Sequence, residues 1–480
     1  MIIRLKYFSA GLVTALIFLL HLVSAAQPEM GSAGDSPGKS VIINNIFIEG
    51  NKVTHESIIE RELMFGPNDT LTHSEISNLL ERSRENLMNT SLFNFVDIET
   101  TEASHRMVNV KIKVTERWYV WPWPILKISD RNFNVWWQTK ELRRLSYGFR
   151  IEWQNVRGRM ERLLATFQFG YDQVYEFQYR FPYLDKKKTM GLAFGSGLAR
   201  NHEVAFRTFE NKQEFFRLED DYSRSDFYTF INLNVRPSIY NSYSFQLRYD
   251  KQNFADTLVS ANPYFSDGDE YKNYFSAYFN FKSDHRDFKQ YPLQGYYFDV
   301  ELHKIGLGLY KDNTVNFFSI AATFRKYWQI SKRFYYASGL NARFGGNGRQ
   351  PYFVLNGIGY GRDVIRGYEF YVIDGQRYGI MKNNLKFAIL PRTVKDIKFI
   401  KSDRFGLIHF AFYLNLFFDI GYVNNNQYYG ENQNFMDNEL QFGYGAGIDF
   451  VSYYDIVVRF EYSFNKRGDS GFFIHFRAPI

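Results

Sequence analysis

The sequence predicts a mainly β chain: a transmembrane antiparallel β-barrel of about sixteen strands preceded by one small α+β domain. Three observations carry this expectation. Aromatic residues make up 19% of the 480, with 49 Phe and 36 Tyr, yet the mean hydropathy is −0.37. Aromatics diluted by alternating polar residues give that combination, as in a wall with lipid outside and water inside. From residue 126 onward, alternating segments recur between turns. Residues 41–116 lack that pattern and read instead as a compact unit with two helices.

The N-terminus reads as an export signal. Arg4 and Lys6 precede an apolar run from Phe8 to Val23, and Ser24, Ala25 and Ala26 supply small residues for cleavage, so residues 1–26 are expected to be a signal peptide. Residues 27–40, rich in Gly, Ser and Pro, should be a flexible leader. The chain has no cysteine, which excludes disulfides and thiolate metal sites. Its 58 basic and 51 acidic residues are interspersed, and no basic stripe points to nucleic acid.

In the 41–116 unit, Val41 to Glu49 reads as a strand closed by Gly50-Asn51. A helix follows with Thr54 as the expected N-cap and Ile59 and Leu63 one turn apart. Thr72 and Glu75 stand in capping-box spacing before a second helix whose apolar face is Ile76, Leu79, Leu80 and Leu87. Phe93 to Glu99 and Val108 to Glu116 close the unit as strands, giving the order β-α-α-β-β. Residues 117–125, RWYVWPWPI, read as a hinge stiffened by two prolines, its tryptophans suited to a membrane interface or to a buried clasp between domains.

The remaining chain, 126–480, is barrel. In Leu145 to Gln154, Leu145, Tyr147, Phe149, Ile151 and Trp153 alternate with Ser146, Gly148, Arg150, Glu152 and Gln154. Segment starts are expected near Lys127, Leu145, Arg162, Tyr175, Met190, Glu214, Tyr243, Asn273, Tyr296, Phe317, Phe334, Lys382, Ile408, Leu440, Asp455 and Phe472. Connections after odd-numbered strands should face away from the N-terminal domain and be the longer ones. Lys251–Lys272, Ile305–Asn316, 345–381 and Asn424–Glu439 fit this, as do the short turns Arg157–Met160 and Ser331–Arg333. The turn Pro391–Arg404 is longer than the rule expects.

The 345–381 loop contains GIGYGRDVIRGYE, Gly357 to Glu369. An arginine set between apolar residues and glycine, after the charged pair Arg362 and Asp363, has no reason to sit in an exposed loop, so packing against something is expected. A phosphate-cradling reading fails because the strand and helix it needs are missing. No HExxH, G-x-S-x-G or Walker lysine is present. Lumen carboxylates such as Glu152 and Glu461 read as solvated pore lining. No enzyme, cofactor or metal is expected.

The element order of residues 41–116, with Gly50-Asn51, Arg61-Glu62-Leu63 and Leu92-Phe93, resembles a POTRA domain. Such domains are thought to take up client polypeptide on an edge strand; a plain structural spacer is the alternative. With about sixteen strands and Ile365-Arg366-Gly367-Tyr368 in the sixth outward loop, the mature chain resembles the BamA and TamA superfamily of outer-membrane assembly and translocation proteins, which includes transporters of two-partner secretion. Further matching positions are Phe418-Asp419-Ile420-Gly421, Asp284 and Arg286 followed by Pro292 and Gly295, Arg180-Phe181-Pro182-Tyr183, and Gly361 within the loop.

The resemblance implies an outer-membrane protein with its POTRA domain in the periplasm, working on client outer-membrane or secreted polypeptides, surrounded by outer-membrane lipids and served by accessory periplasmic proteins. It further implies that the loop folds into the lumen, that its arginine meets an acidic residue, and that the seam between first and last strands acts as a lateral gate. Residue parity along Ile408 to Gly421 turns Asp419 inward, which makes an Arg366–Asp419 pair the expected contact. The first segment alternates poorly and the last is short, as a labile seam requires. The chain ends in Ile480 rather than an aromatic, and its parity matches Phe472, Ile474 and Phe476. A secretion channel for one substrate and a passive pore are the competing functions.

Overall fold

In the computed structural model, the described residues are 40–480 except 105, 129–143, 311–314, 347, 349, 356, 362, 397–399, 401, 403, 404, 426–433, 453, 455, 477 and 479. The signal peptide, nearly all of the leader and Arg362 therefore lie outside them. Among the described residues no helix is long and apolar enough to cross a membrane.

The N-terminal unit has strand β1 (Val41–Glu49), helix α1 (Glu56–Glu60), a two-residue strand β2 (Thr70–Leu71), helix α2 (His73–Met88), β3 (Phe93–Ser104) and β4 (Met107–Glu116). The order is thus β-α-β-α-β-β, not β-α-α-β-β. β2 escapes sequence reading because two residues carry no period. In the sheet order β2-β1-β4-β3, β1 and β4 run parallel and β3 is the long edge strand. The capping box forms as its spacing predicts, with the Glu75 backbone N–H donating to Thr72 Oγ1 and the Thr72 N–H to Glu75 Oε2. That bond holds the Glu75 carboxyl below its ordinary range. Thr54 does not cap α1. It is buried, its N–H and hydroxyl donating to Glu116 Oε1 at 2.7 Å, and the N-cap is His55. Ile43, Ile59, Leu87, Phe93 and Ile112, all fully buried, form the core.

Sixteen antiparallel strands make the second unit, in sequential order. They are β5 (Val120–Ile128), β6 (Leu145–Val156), β7 (Glu161–Gly170), β8 (Gln173–Phe181), β9 (Met190–Asn201), β12 (Arg224–Val235), β13 (Asn241–Phe254), β14 (Tyr271–Asp284), β15 (Gly295–Ile305), β16 (Phe317–Gln329), β17 (Phe334–Gly345), β18 (Arg377–Asp396), β19 (Leu407–Asn424), β20 (Leu440–Ser452), β21 (Val457–Asn465) and β22 (Ser470–His475). A separate hairpin, β10 (Glu203–Phe209) and β11 (Lys212–Arg217), rises from the connection between β9 and β12. The alternation resolves into two faces. Tyr147, Phe149 and Trp153, or Leu414, Leu416 and Phe418, point out exposed, while Asn415, Asp419 and Glu461 point in and are buried.

Two segments differ from expectation. RWYVWPWPI is not a hinge: from Val120 on it is the first barrel strand, paired through Ile128 with Leu145 of β6. Among the described residues nothing pairs with the other edge of β5, and a proline nitrogen is tolerated where it faces an unpaired edge. Pro122 and Pro124 mark that edge rather than a break. The sixth segment starts at Arg224, not near Glu214, because the alternating residues around Glu214 belong to the projecting β10–β11 hairpin. The turn expected over Pro391–Arg404 is shorter, since β18 runs to Asp396 through two register shifts.

At the base, beside the N-terminal domain, the start of the first strand touches the β20–β21 turn. The Trp118 backbone N–H donates to Tyr454 Oη at 3.1 Å, and the Trp121 and Tyr454 rings meet edge to face at 5.1 Å. Ile480 does not share the outward parity of Phe472. It is buried against Tyr327 and Ala337, where Tyr327 Oη donates to its carbonyl at 3.0 Å.

Candidate functional site

The loop between β17 and β18, residues 346–376, turns back into the barrel. Its neck is a bridge in which Ile358 and Ile373 exchange backbone hydrogen bonds of 3.0 and 2.7 Å. Ile358, Ile365, Tyr368 and Ile373 then pack on Tyr378, Ile380, Val423 and Met436 as one buried cluster. Apolar burial drives the loop in and leaves Arg366 with no water.

The wall satisfies that arginine. Its Nε donates to Asp419 Oδ2 at 2.8 Å and its Nη2 to Asp419 Oδ1 at 2.5 Å, a two-pronged fork, and its backbone N–H adds a 3.2 Å bond to Oδ2. Nη2 also donates to Asn384 Oδ1 at 2.7 Å, Nη1 lies 3.5 Å from Glu461 Oε1, and the guanidinium stands 4.0 Å over the Phe417 ring. The side chains of Arg366 and Asp419 are 3% and 0% exposed. Glu461, expected as wet pore lining, is instead buried between Arg366 and Arg459, 2.7 Å from the latter.

Two glycines make room. A Cβ at Gly421 would lie 2.3 Å from Ile365 Cδ1, and one at Gly443 would lie 1.8 Å from the Arg366 carbonyl oxygen. Gly367 has φ +92, a conformation glycine adopts without strain, and Asn465 Nδ2 donates to its carbonyl at 2.9 Å. Tyr368 Oη donates to Gln441 Oε1 at 3.0 Å. Gly361 is apart from this contact. Its φ is +65 with open space around it, so it serves a turn. Asp363 accepts from Tyr378 Oη at 2.5 Å. Asp284 and Arg286 form their own fork at the base, at 2.7 and 2.8 Å, with Arg286 over Tyr297.

The far end of the loop is roofed by the β10–β11 hairpin. Asn211 exchanges hydrogen bonds with Val372, and the Thr208 and Tyr352 hydroxyls lie 2.9 Å apart. Tyr360 Oη donates to Asp374, whose carboxyl is pushed up to about 6 by burial.

A second junction was not visible in the sequence. Glu62, two residues past the end of α1, is 2% exposed and held by Arg236 of the β12–β13 turn at 2.5 and 2.7 Å. The same arginine donates to Tyr183 Oη at 2.7 Å, and Arg61 donates to the carbonyls of Lys188 and Arg236. Although burial works against the charge, the bonds to Glu62 raise the Arg236 guanidinium above its ordinary value. Asn89 adds a 2.7 Å bond to the Asp287 carbonyl and accepts from the Lys289 N–H. The β14–β15 turn itself folds inward, with Tyr291 Oη donating to Asp449 at 2.6 Å. The signals the sequence offered were Arg61-Glu62-Leu63 and Arg180-Phe181-Pro182-Tyr183 as family-like positions; Arg236, the partner of Glu62, lies 174 residues away.

The helix-containing unit can now be placed. Residues 41–117 match the family described as POTRA, surface antigen variable number repeat. The N-terminal unit is a POTRA domain. No curated protein matches the chain. Among solved structures, the chain is similar to BamA from Haemophilus ducreyi lacking POTRA domains 1–3, at 15% identity over 91% of this chain and 83% of that one, TM-score 0.49. It is also similar to CdiB from Escherichia coli, at 10% identity over 94% and 91%, TM-score 0.47, and to CdiB from Acinetobacter baumannii, at 12% over 91% and 74%, TM-score 0.46. In this chain the POTRA domain is docked on four base turns, 157–160, 182–189, 236–240 and 285–294, by the contacts of His55, Arg61, Glu62 and Asn89.

Proposed function

We propose that the chain is an outer-membrane protein that assists the insertion, assembly or translocation of other polypeptides, with its POTRA domain in the periplasm. The observation that carries this reading is the free edge of β5, which, like the outer edge of β22, has no partner strand among the described residues and directly follows a docked POTRA domain. An unpaired edge is a template for an incoming strand, and it needs no cofactor or chemical step. The Arg366–Asp419 fork supports the reading by fixing the inserted loop, so that the lumen is shaped rather than open.

The test is depletion in the native cell, followed by comparison of the outer-membrane and secreted proteomes. Loss of several outer-membrane barrels is expected. Loss of one secreted protein alone would make the chain a dedicated secretion channel. Unchanged proteomes together with steady ion conductance would overturn the proposal in favour of a passive pore.

A further inference from the structure

A cavity of about 690 Å3 lies between the POTRA domain and the barrel base, and a second of about 650 Å3 lies deeper in the lumen; both are lined by Lys289 and Gln290. Counting charges along them gives an asymmetry. Every carboxylate lining the first cavity is engaged: Glu62 by Arg236, Glu152 by Arg162, Glu161 by Arg157 and Asp284 by Arg286. In the second, Asp363 accepts from Tyr378 and Glu369 accepts from the Gly367 N–H.

Five cations remain along the two cavities. Arg180, Lys282, Lys289, Arg325 and Lys382 make no ion pair within 4 Å among the described residues. Arg180 moreover stands directly opposite Arg162 in the β7–β8 register, and the one carboxylate bonded there, Glu152, is held by Arg162. Like charges facing each other across strands destabilise a sheet, so this pair favours an anion beside Arg180.

We propose that these five side chains form a binding track for an acidic polypeptide segment entering from the POTRA end. The five come from β8, β14, the β14–β15 turn, β16 and β18, a spread that suits a chain bearing several carboxylates better than a single phosphate group. Between them the walls present Asn234, Gln290, Thr323 and Asn341, which can hydrogen-bond a peptide backbone. Along the first cavity, where every carboxylate is paired with an arginine, the unpaired positive charge also concentrates the opposite sign before contact. Calling the segment a client rests on the proposed function. The site itself rests on the charge count, and its test is independent of the depletion experiment.

The test is fluorescence anisotropy of labelled hexaglutamate with the full-length protein in zwitterionic nanodiscs. Saturable binding is expected, weakened about tenfold by raised salt, with no binding of hexalysine. The triple variant Arg180→Gln, Lys282→Gln, Lys289→Gln should weaken binding about tenfold or more. Lys289→Glu alone, in an exposed turn position, should weaken it in the same direction and keeps the test readable if the triple variant does not fold. Arg248→Gln, whose arginine pairs with Asp250 and lines neither cavity, should leave binding unchanged. Absence of saturable binding, or equal affinity in Lys289→Glu, overturns the proposal. So does full displacement by inorganic phosphate at matched charge, which would mean a small-anion site, and loss of binding only in nanodiscs of anionic lipid, which would mean a headgroup site.

Discussion

Two guanidinium–carboxylate forks hold the parts of this molecule that could move, and they differ in how completely they have left water. In the lumen, Arg366 and Asp419 are 3% and 0% exposed, and Asn384, Glu461 and Phe417 complete the arginine's surroundings. At the base, Glu62 is 2% exposed but Arg236 keeps 19%. A pair with both partners dry cannot separate without stranding charge, whereas a pair with one partner at the water's edge can let go and be rehydrated. The expectation is that the loop behaves as part of the wall and the POTRA domain as a joint.

The largest effect that separates the two is expected from Arg366→Ala. It leaves Asp419 and Glu461 buried with one cation fewer, at a cost of about 3–5 kcal/mol. The thermal midpoint should fall and residues 346–376 should become protease-sensitive, while Asp419→Asn, which retains an acceptor, should cost less. A variant as resistant as the parent would mean that apolar packing alone holds the loop.

Arg236→Ala comes next, at about 2–3 kcal/mol of docking energy. Cleavage near residues 117–119 should speed up while the barrel's own melting stays put. If the barrel melts earlier by as much as in Arg366→Ala, the distinction between wall and joint fails.

Gly421→Ala probes how tightly the loop is seated. The added methyl meets the far end of Ile365, a flexible side chain that can partly yield, so about 1–2 kcal/mol is expected from thermal unfolding. No loss would mean a looser seat than the fork requires.

The smallest effect concerns the roof. Asp374 titrates near 6 when packed and near the ordinary value of about 3.9 when exposed. The packed loop thus binds the proton more tightly. Its contribution is fully present below about pH 4 and is lost as pH rises toward and through 6. Amide exchange in residues 357–376, corrected for intrinsic rates, should be faster at pH 8 than at pH 5, and Asp374→Asn should remove the difference.

Much of the barrel was legible because a two-residue period with one greasy face is a strong signal. Leu145, Met190, Phe317, Phe334 and Leu440 are strand starts in both sequence and structure. The loop's partner was legible from two signals together: the resemblance called for an acidic residue facing the loop's arginine, and parity turned Asp419 inward. What period does not encode was lost. Pro122 and Pro124 were taken for a hinge because their tolerance at an edge depends on what fails to pair beside them. The β10–β11 hairpin alternates like a wall strand, and only its neighbours reveal that it is not one. Glu62 stands out only as a match to the family pattern, and Arg236 not at all, until the chain brings them together.

Those two prolines have one more consequence. The nitrogens facing the free edge of β5 belong to Val120, Pro122, Pro124, Leu126 and Ile128, and two of these five carry no hydrogen. The edge can receive more bonds than it can give. A backbone laid along it forfeits two bonds of a full ladder, about 2 kcal/mol at typical net values, enough to shorten a guest's stay roughly thirtyfold. Two side-chain rings alone would thus limit how firmly that edge holds a strand.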